Sequence, residues 1–134
     1  MAPWQEAASL ADHGVKASLA SVPAESLPYD SGFFNCVVAV SCLEYVEAID
    51  AACGEIRRVL AAGGTLAVVT PGATPLWNLA LRVATRQGPS QCGDRRQKLQ
   101  PVLRRRFRLV KQLTAPRFGG NASRLYTGLR LQAD

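Results

Sequence analysis

The sequence predicts an α/β fold: a mostly parallel sheet with one antiparallel strand near the C-terminus. Three observations carry that expectation. Phe33 to Leu43 (FFNCVVAVSCL) and Thr65 to Thr70 (TLAVVT) are continuous apolar runs. Continuous rather than alternating hydrophobicity marks a strand buried on both faces, as in the centre of a parallel sheet. Between the two lies the clearest helix of the chain, and a strand–helix–strand order at this spacing is α/β punctuation. Finally, Phe107 to Ala115 and Ser123 to Leu131 read as two strands joined by the turn-forming segment PRFGGN, close enough to pair as an antiparallel hairpin.

The elements follow in order. Gln5 to His13 reads as a short helix stopped by Gly14. Val15 to Val22 (VKASLASV) reads as a strand ended by Pro23, and AESLPYDSG after it as a turn-rich loop. The central helix spans Glu47 to Ala62. Ile49, Ala52, Cys53, Ile56, Val59 and Leu60 fall on one face of a 3.6-residue period. Glu47 and Asp50 at its start and Arg57 and Arg58 at its end suit the helix dipole. Gly63 is placed to stop it in a left-handed conformation. Gly54 inside it lowers helix propensity by about 1 kcal/mol relative to Ala, an effect that close packing can offset. Thr74, with Pro75 after it, caps a helix expected to run to about Thr85. Arg86 to Gly93 reads as a loop. Asp94 to about Arg105 reads as a basic helix that Pro101 interrupts.

Composition limits the function classes. The chain has 134 residues, 48% of them hydrophobic, which is enough for one domain with a core of its own. There is no apolar run of membrane-spanning length, and the N-terminus resembles no signal peptide, so a cytoplasmic location is expected. Cys36, Cys42, Cys53 and Cys92 form no C-x-x-C pair and His13 is the single histidine, which argues against a structural zinc site. His13 itself reads as a helix-end surface residue. Asn121-Ala-Ser123 matches a glycosylation pattern but has no secretory context. Charge is unevenly spread: residues 1–60 hold eight acids and three bases, residues 61–134 thirteen bases and two acids. The densest basic stretch, Asp94 to Lys111, reads as a solvated helix face and linker. It lacks the interleaved aromatics of a nucleic-acid surface, so nucleic acid is not an expected partner.

Three stretches together resemble the class I S-adenosylmethionine-dependent methyltransferases, in the branch that includes ubiquinone and small-molecule methyltransferases. Ala24-Glu-Ser-Leu-Pro-Tyr29 is similar to that family's A-E-x-L-P-F. Phe34-Asn-Cys-Val-Val-Ala-Val-Ser-Cys-Leu-Glu-Tyr-Val46 is similar to its F-D-x-V-x-x-x-x-x-L-E-H-V. Glu55-Ile-Arg-Arg-Val-Leu-Ala-Ala-Gly-Gly64 is similar to its E-x-x-R-V-L-K-P-G-G. The resemblance implies a partial Rossmann-like methyltransferase fold of sheet order 3-2-1-4-5-7-6, with strand 7 antiparallel. Val15–Val22 would be strand 3, Phe34–Leu43 strand 4 and Thr65–Thr70 strand 5. Phe107–Ala115 and Ser123–Leu131 would be strands 6 and 7. Strands 1 and 2 are missing, so residues 1–134 are expected to form a single, N-terminally truncated methyltransferase-like domain.

The missing strands would carry the G-x-G-x-G turn that lets the cofactor approach the backbone, and the acid that binds its ribose. Their absence would also leave strand 4 as an open apolar edge, inviting a homo- or hetero-oligomer through residues 34–43. The resemblance implies that Ala24 and Glu25 flank the adenine of S-adenosylmethionine and that Ser41, Cys42 and Tyr45 line its methionine end. Tyr45 would orient or deprotonate a substrate hydroxyl. Three positions depart from the pattern: Pro23 stands where the family usually has Asp before A-E-x-L-P, Asn35 where the strand has F-D, and Tyr45 where L-E-H-V has His. The implied function is methyl transfer to a small-molecule acceptor, with the cofactor bound if its site is completed. The alternatives are a non-catalytic methyltransferase-like subunit or remnant acting through the exposed edge, and a basic nucleic-acid-binding module built on Asp94 to Lys111.

Overall fold

A computed structural model describes residues 10–71, 83, 92–115 and 126–134. Four strands form one sheet: β1 (Phe34–Val40), β2 (Leu60–Pro71), β3 (Arg108–Ala115) and β4 (Tyr126–Gln132). Helix α1 (Ile49–Val59) connects β1 to β2, and helix α2 (Cys92–Arg106) precedes β3. The strand order is β1-β2-β4-β3. β1 and β2 are parallel, with Val38 opposite Ala67 and Val40 opposite Val69. β4 is antiparallel to both its neighbours. The expected sheet of parallel strands with one antiparallel strand is therefore present, and the C-terminal pair is an antiparallel hairpin. Its expected turn, PRFGGN, lies outside the described residues, as does the Thr74–Thr85 helix apart from Val83, which is helical.

The core forms where the strand and helix periods meet. Ala39, Leu66, Val68, Leu129 and Leu131 project from one face of the sheet. They meet Cys53 and Ile56 of α1 and Leu99 and Leu103 of α2. The buried residues of α1 are Ala52, Cys53, Ile56 and Val59, the face expected from the sequence. Leu66, Leu99, Leu103 and Leu131 are essentially fully buried. Cutting any one of them back to Ala would cost about 2–5 kcal/mol.

Several expectations need correction. Residues 15–22 form no strand and are exposed along their whole length. Strand hydrogen bonds need a neighbour, and among the described residues β1 pairs only with β2. β1 is accordingly an edge and is not buried on both faces: Val38 and Val40 are 65% and 59% exposed. It also ends at Val40, because Ser41 turns the chain with φ of 47°. Helix α1 stops at Val59, before Gly63, because Leu60 is already extended and pairs with Phe34. Gly63 and Gly64 instead serve a bulge in β2, where the ladder jumps from the Phe34–Leu60 pair to the Cys36–Thr65 pair. Gly63 takes φ of 72°, and a Cβ on Gly64 would lie 2.8 Å from the Ala61 carbonyl oxygen. Helix α2 begins at Cys92, within the expected loop, and runs through Pro101. Pro101 and Gln97 are both exposed, so the carbonyl left unbonded by the proline ring can turn to water.

Candidate functional site

The sequence-selected residues fall into two groups. Ser41, Cys42 and Tyr45 follow the C-terminal end of β1, the end at which open parallel sheets place their ligands. The Ser41 N–H donates to the Val69 carbonyl at 2.8 Å, which ties the turn to β2. A short 3-10 turn, Leu43–Tyr45, follows, closed by Tyr45 N–H to the Cys42 carbonyl at 3.1 Å. Tyr45 is 59% exposed and Cys42 is also exposed, so both are open to a ligand. Partial burial and the nearby Glu44 carboxylate push the Cys42 thiol above its ordinary pKa. It is therefore a neutral thiol and not an activated nucleophile. Burial pushes the Cys53 thiol further, to about 11, which fits a core residue.

Glu44 is the Glu of the L-E-H-V match, but the sequence alone assigns it no role of its own. It is 1% exposed, and neither carboxylate oxygen has a hydrogen-bond partner. Its neighbours Ser41, Cys42 and Tyr45 are the expected lining of a ligand site.

Ala24 and Glu25 form the second group. They sit half-buried in a turn closed by Ser26 N–H to the Pro23 carbonyl at 3.2 Å. The chain just after them is anchored to α1. Leu27 N–H donates to Glu55 Oε2 at 2.9 Å. Arg58 Nη2 donates to the Leu27 carbonyl at 2.9 Å and Arg58 Nη1 to the Tyr29 carbonyl at 2.8 Å. Arg58 also grips both oxygens of Glu55, at 2.8 and 2.9 Å. The hydrogen bond from Arg58, then that from Leu27, hold the Glu55 carboxyl down at a pKa of about 2. The ring of Tyr29 meets Phe34 edge-on at 4.9 Å. The first and third sequence stretches are thus physically joined, since the Glu and Arg of E-x-x-R bind the backbone of A-E-x-L-P-Y.

The basic stretch is partly committed to structure. Arg106 pairs with Asp50, Arg104 donates to Gln112 and Arg108 to Gln132. An open groove of about 470 Å³, lined by Ile49, Gln97, Lys98, Pro101, Val102 and Arg105, includes none of the sequence-selected residues. Among the described residues there is no cluster of metal-ligating side chains and no helix long and apolar enough to cross a membrane.

Residues 3–68 match the family described as a methyltransferase domain. No curated protein matches the chain. Solved structures do. A S-adenosylmethionine-dependent methyltransferase from Aquifex aeolicus is 11% identical with a TM-score of 0.67, over 98% of this chain and 61% of that one. The N-methyltransferase NodS from Bradyrhizobium japonicum WM9, in complex with S-adenosyl-L-homocysteine, is 14% identical with a TM-score of 0.65, over 97% and 61%. The [4+2]-cyclase SpnF is 22% identical with a TM-score of 0.62, over 94% and 60%. At these identities the likeness shows the fold, and a cyclase among the neighbours illustrates that fold alone does not fix the reaction. The chain spans about 60% of the length of these neighbours.

Proposed function

This chain carries a class I S-adenosylmethionine-dependent methyltransferase domain, by its fold and by the family match over residues 3–68, and from that premise we propose that it contributes one side of a site for methyl transfer to a small-molecule acceptor. The observation that carries the reading is the position of Ser41 to Tyr45. They leave the C-terminal end of β1 beside its parallel partner β2, where a doubly wound sheet binds its ligand.

The residues present fit part of the cofactor. Small and polar groups stand at both turns, Ser41 and Cys42 after β1 and the half-buried Ala24 and Glu25 before it. The glycine-rich turn that would grip the rest has no counterpart in these 134 residues. In this reading residues 1–134 act as one domain, and a further segment bearing that turn completes the site along the free edge of β1. Ala24 and Glu25 flank the adenine, and Ser41 and Cys42 line the methionine end. S-adenosylmethionine, when bound, supplies the sulfonium methyl group for in-line attack. Tyr45 orients the acceptor, so the rate gain comes chiefly from proximity and alignment.

Calorimetric titration with S-adenosyl-L-homocysteine tests this reading. The expected result is saturable binding that Tyr45→Phe leaves intact while slowing methyl transfer. No binding at millimolar ligand would contradict the reading that these residues supply one side of the cofactor site.

A second reading draws on the exposed Val38 and Val40 of β1. Here the chain is a non-catalytic subunit that recruits another protein, or a second copy, through that strand edge. Sedimentation velocity over a concentration series tests the second-copy form of this reading, which requires an oligomer without ligand.

A further inference from the structure

We propose that Glu55 and Arg58 are positioning residues: together they hold residues 24–30 in the one conformation that presents Ala24 and Glu25 to the cofactor, an inference that rests on the reading just given.

On a helix surface an i,i+3 Glu–Arg pair ordinarily contributes little. This pair differs in what it does with its remaining hydrogen-bonding capacity. Glu55 Oε2 accepts from the Leu27 N–H, and Arg58 Nη2 donates to the Leu27 carbonyl. The two side chains therefore satisfy both backbone groups of one residue, as a neighbouring β-strand would. Arg58 Nη1 extends the grip to the Tyr29 carbonyl, and the Gly32 N–H donates to the Arg58 carbonyl at 2.9 Å. The loop is thus fixed at three residues by contacts that read only backbone.

Two consequences follow from that geometry. The side chains at positions 27 and 29 can change without loosening the grip. The loop also needs no sheet neighbour of its own, which matters because residues 15–22 just before it have none. With no strand among residues 10–23 to align Ala24 and Glu25, their alignment comes from α1 behind them. The guanidinium fork is essential, because a single ammonium cannot reach both Glu55 oxygens and two carbonyls at once.

The test measures amide hydrogen exchange at Leu27 and calorimetric affinity for S-adenosyl-L-homocysteine in the full chain. Glu55→Gln removes the charge, and Arg58→Lys keeps the charge but removes the fork. Asp50→Asn is the control, because it breaks the other ion pair of α1, which faces α2. Both clamp variants should speed Leu27 exchange and weaken ligand affinity by about tenfold, the loss expected when a preorganised loop is released. The control should lower stability and leave both readouts as in wild type. Unchanged Leu27 exchange in both clamp variants overturns the proposal, and so does faster exchange with unchanged affinity. A wild-type chain that binds no ligand defeats the proposed function, while faster Leu27 exchange in the variants still supports the clamp.

Discussion

Asp50 and Arg106 pair through both carboxylate oxygens, at 3.1 and 2.6 Å, and so lock the start of α1 to the end of α2. The guanidinium passes beside Gly54, where an added Cβ would lie 3.5 Å from Arg106 Nη1. That is ordinary contact with a flexible side chain. Gly54→Ala is therefore expected to stabilise the fold by up to about 1 kcal/mol, through helix propensity alone. A higher urea midpoint with an unchanged m-value checks it.

Gly64 predicts the opposite sign for the same substitution. Its Cβ would meet the Ala61 carbonyl oxygen at 2.8 Å, Leu60 Cδ2 at 3.1 Å and the Asn35 carbonyl oxygen at 3.2 Å. Two of these are backbone, so the β2 bulge would have to move. Gly64→Ala should cost about 1–3 kcal/mol, read as a lower midpoint in the same denaturation series.

Glu44 is a buried carboxylate without a hydrogen-bond donor. An unsatisfied buried polar group costs about 1–3 kcal/mol, and more if charged. Glu44→Met, similar in length and apolar, is expected to raise stability by at least about 1 kcal/mol. A fall in stability would mean that the carboxylate is satisfied in solution.

The clamp has a pH signature. Glu55 is held at a pKa of about 2 by its hydrogen bonds from Arg58 and Leu27. Its unfolded value is about 4.3, so the folded value is depressed. The stability it contributes is complete above that unfolded value and is lost as pH falls toward about 2. Arg58 and Asp30 are the other charged groups of this cluster, and Asp50 is also lowered, by its hydrogen bond from Arg106. In acid titrations of stability, Glu55→Gln should flatten the slope below about pH 4.3 without abolishing it, because the Asp50 contribution remains.

Elements defined by their own residues could be read from the sequence. The apolar periodicity of Ile49 to Leu60 marked the buried face of α1 correctly, and the runs around Val37 and Val68 marked two parallel strands. Features that depend on a neighbour could not. Val15 to Val22 has strand-like content, yet among the described residues no strand pairs with it. Gly63 resembles a helix stop, but Leu60 leaves the helix three residues earlier to meet Phe34. At the candidate site, Ser41, Cys42 and Tyr45 fall in one turn, whereas the apolar run placed Ser41 and Cys42 inside a strand reaching Leu43. Glu55 and Arg58 were visible only as a motif on a helix, because the Leu27 and Tyr29 backbone they bind lies 28 to 31 residues away.

The most direct test of the account is a backbone chemical-shift titration of the chain with S-adenosyl-L-homocysteine. The predicted result is saturable perturbation at Ala24, Glu25, Ser41, Cys42 and Tyr45, with α2 unaffected. Perturbations confined to the groove between Ile49 and Arg105, or none at millimolar ligand, would contradict it.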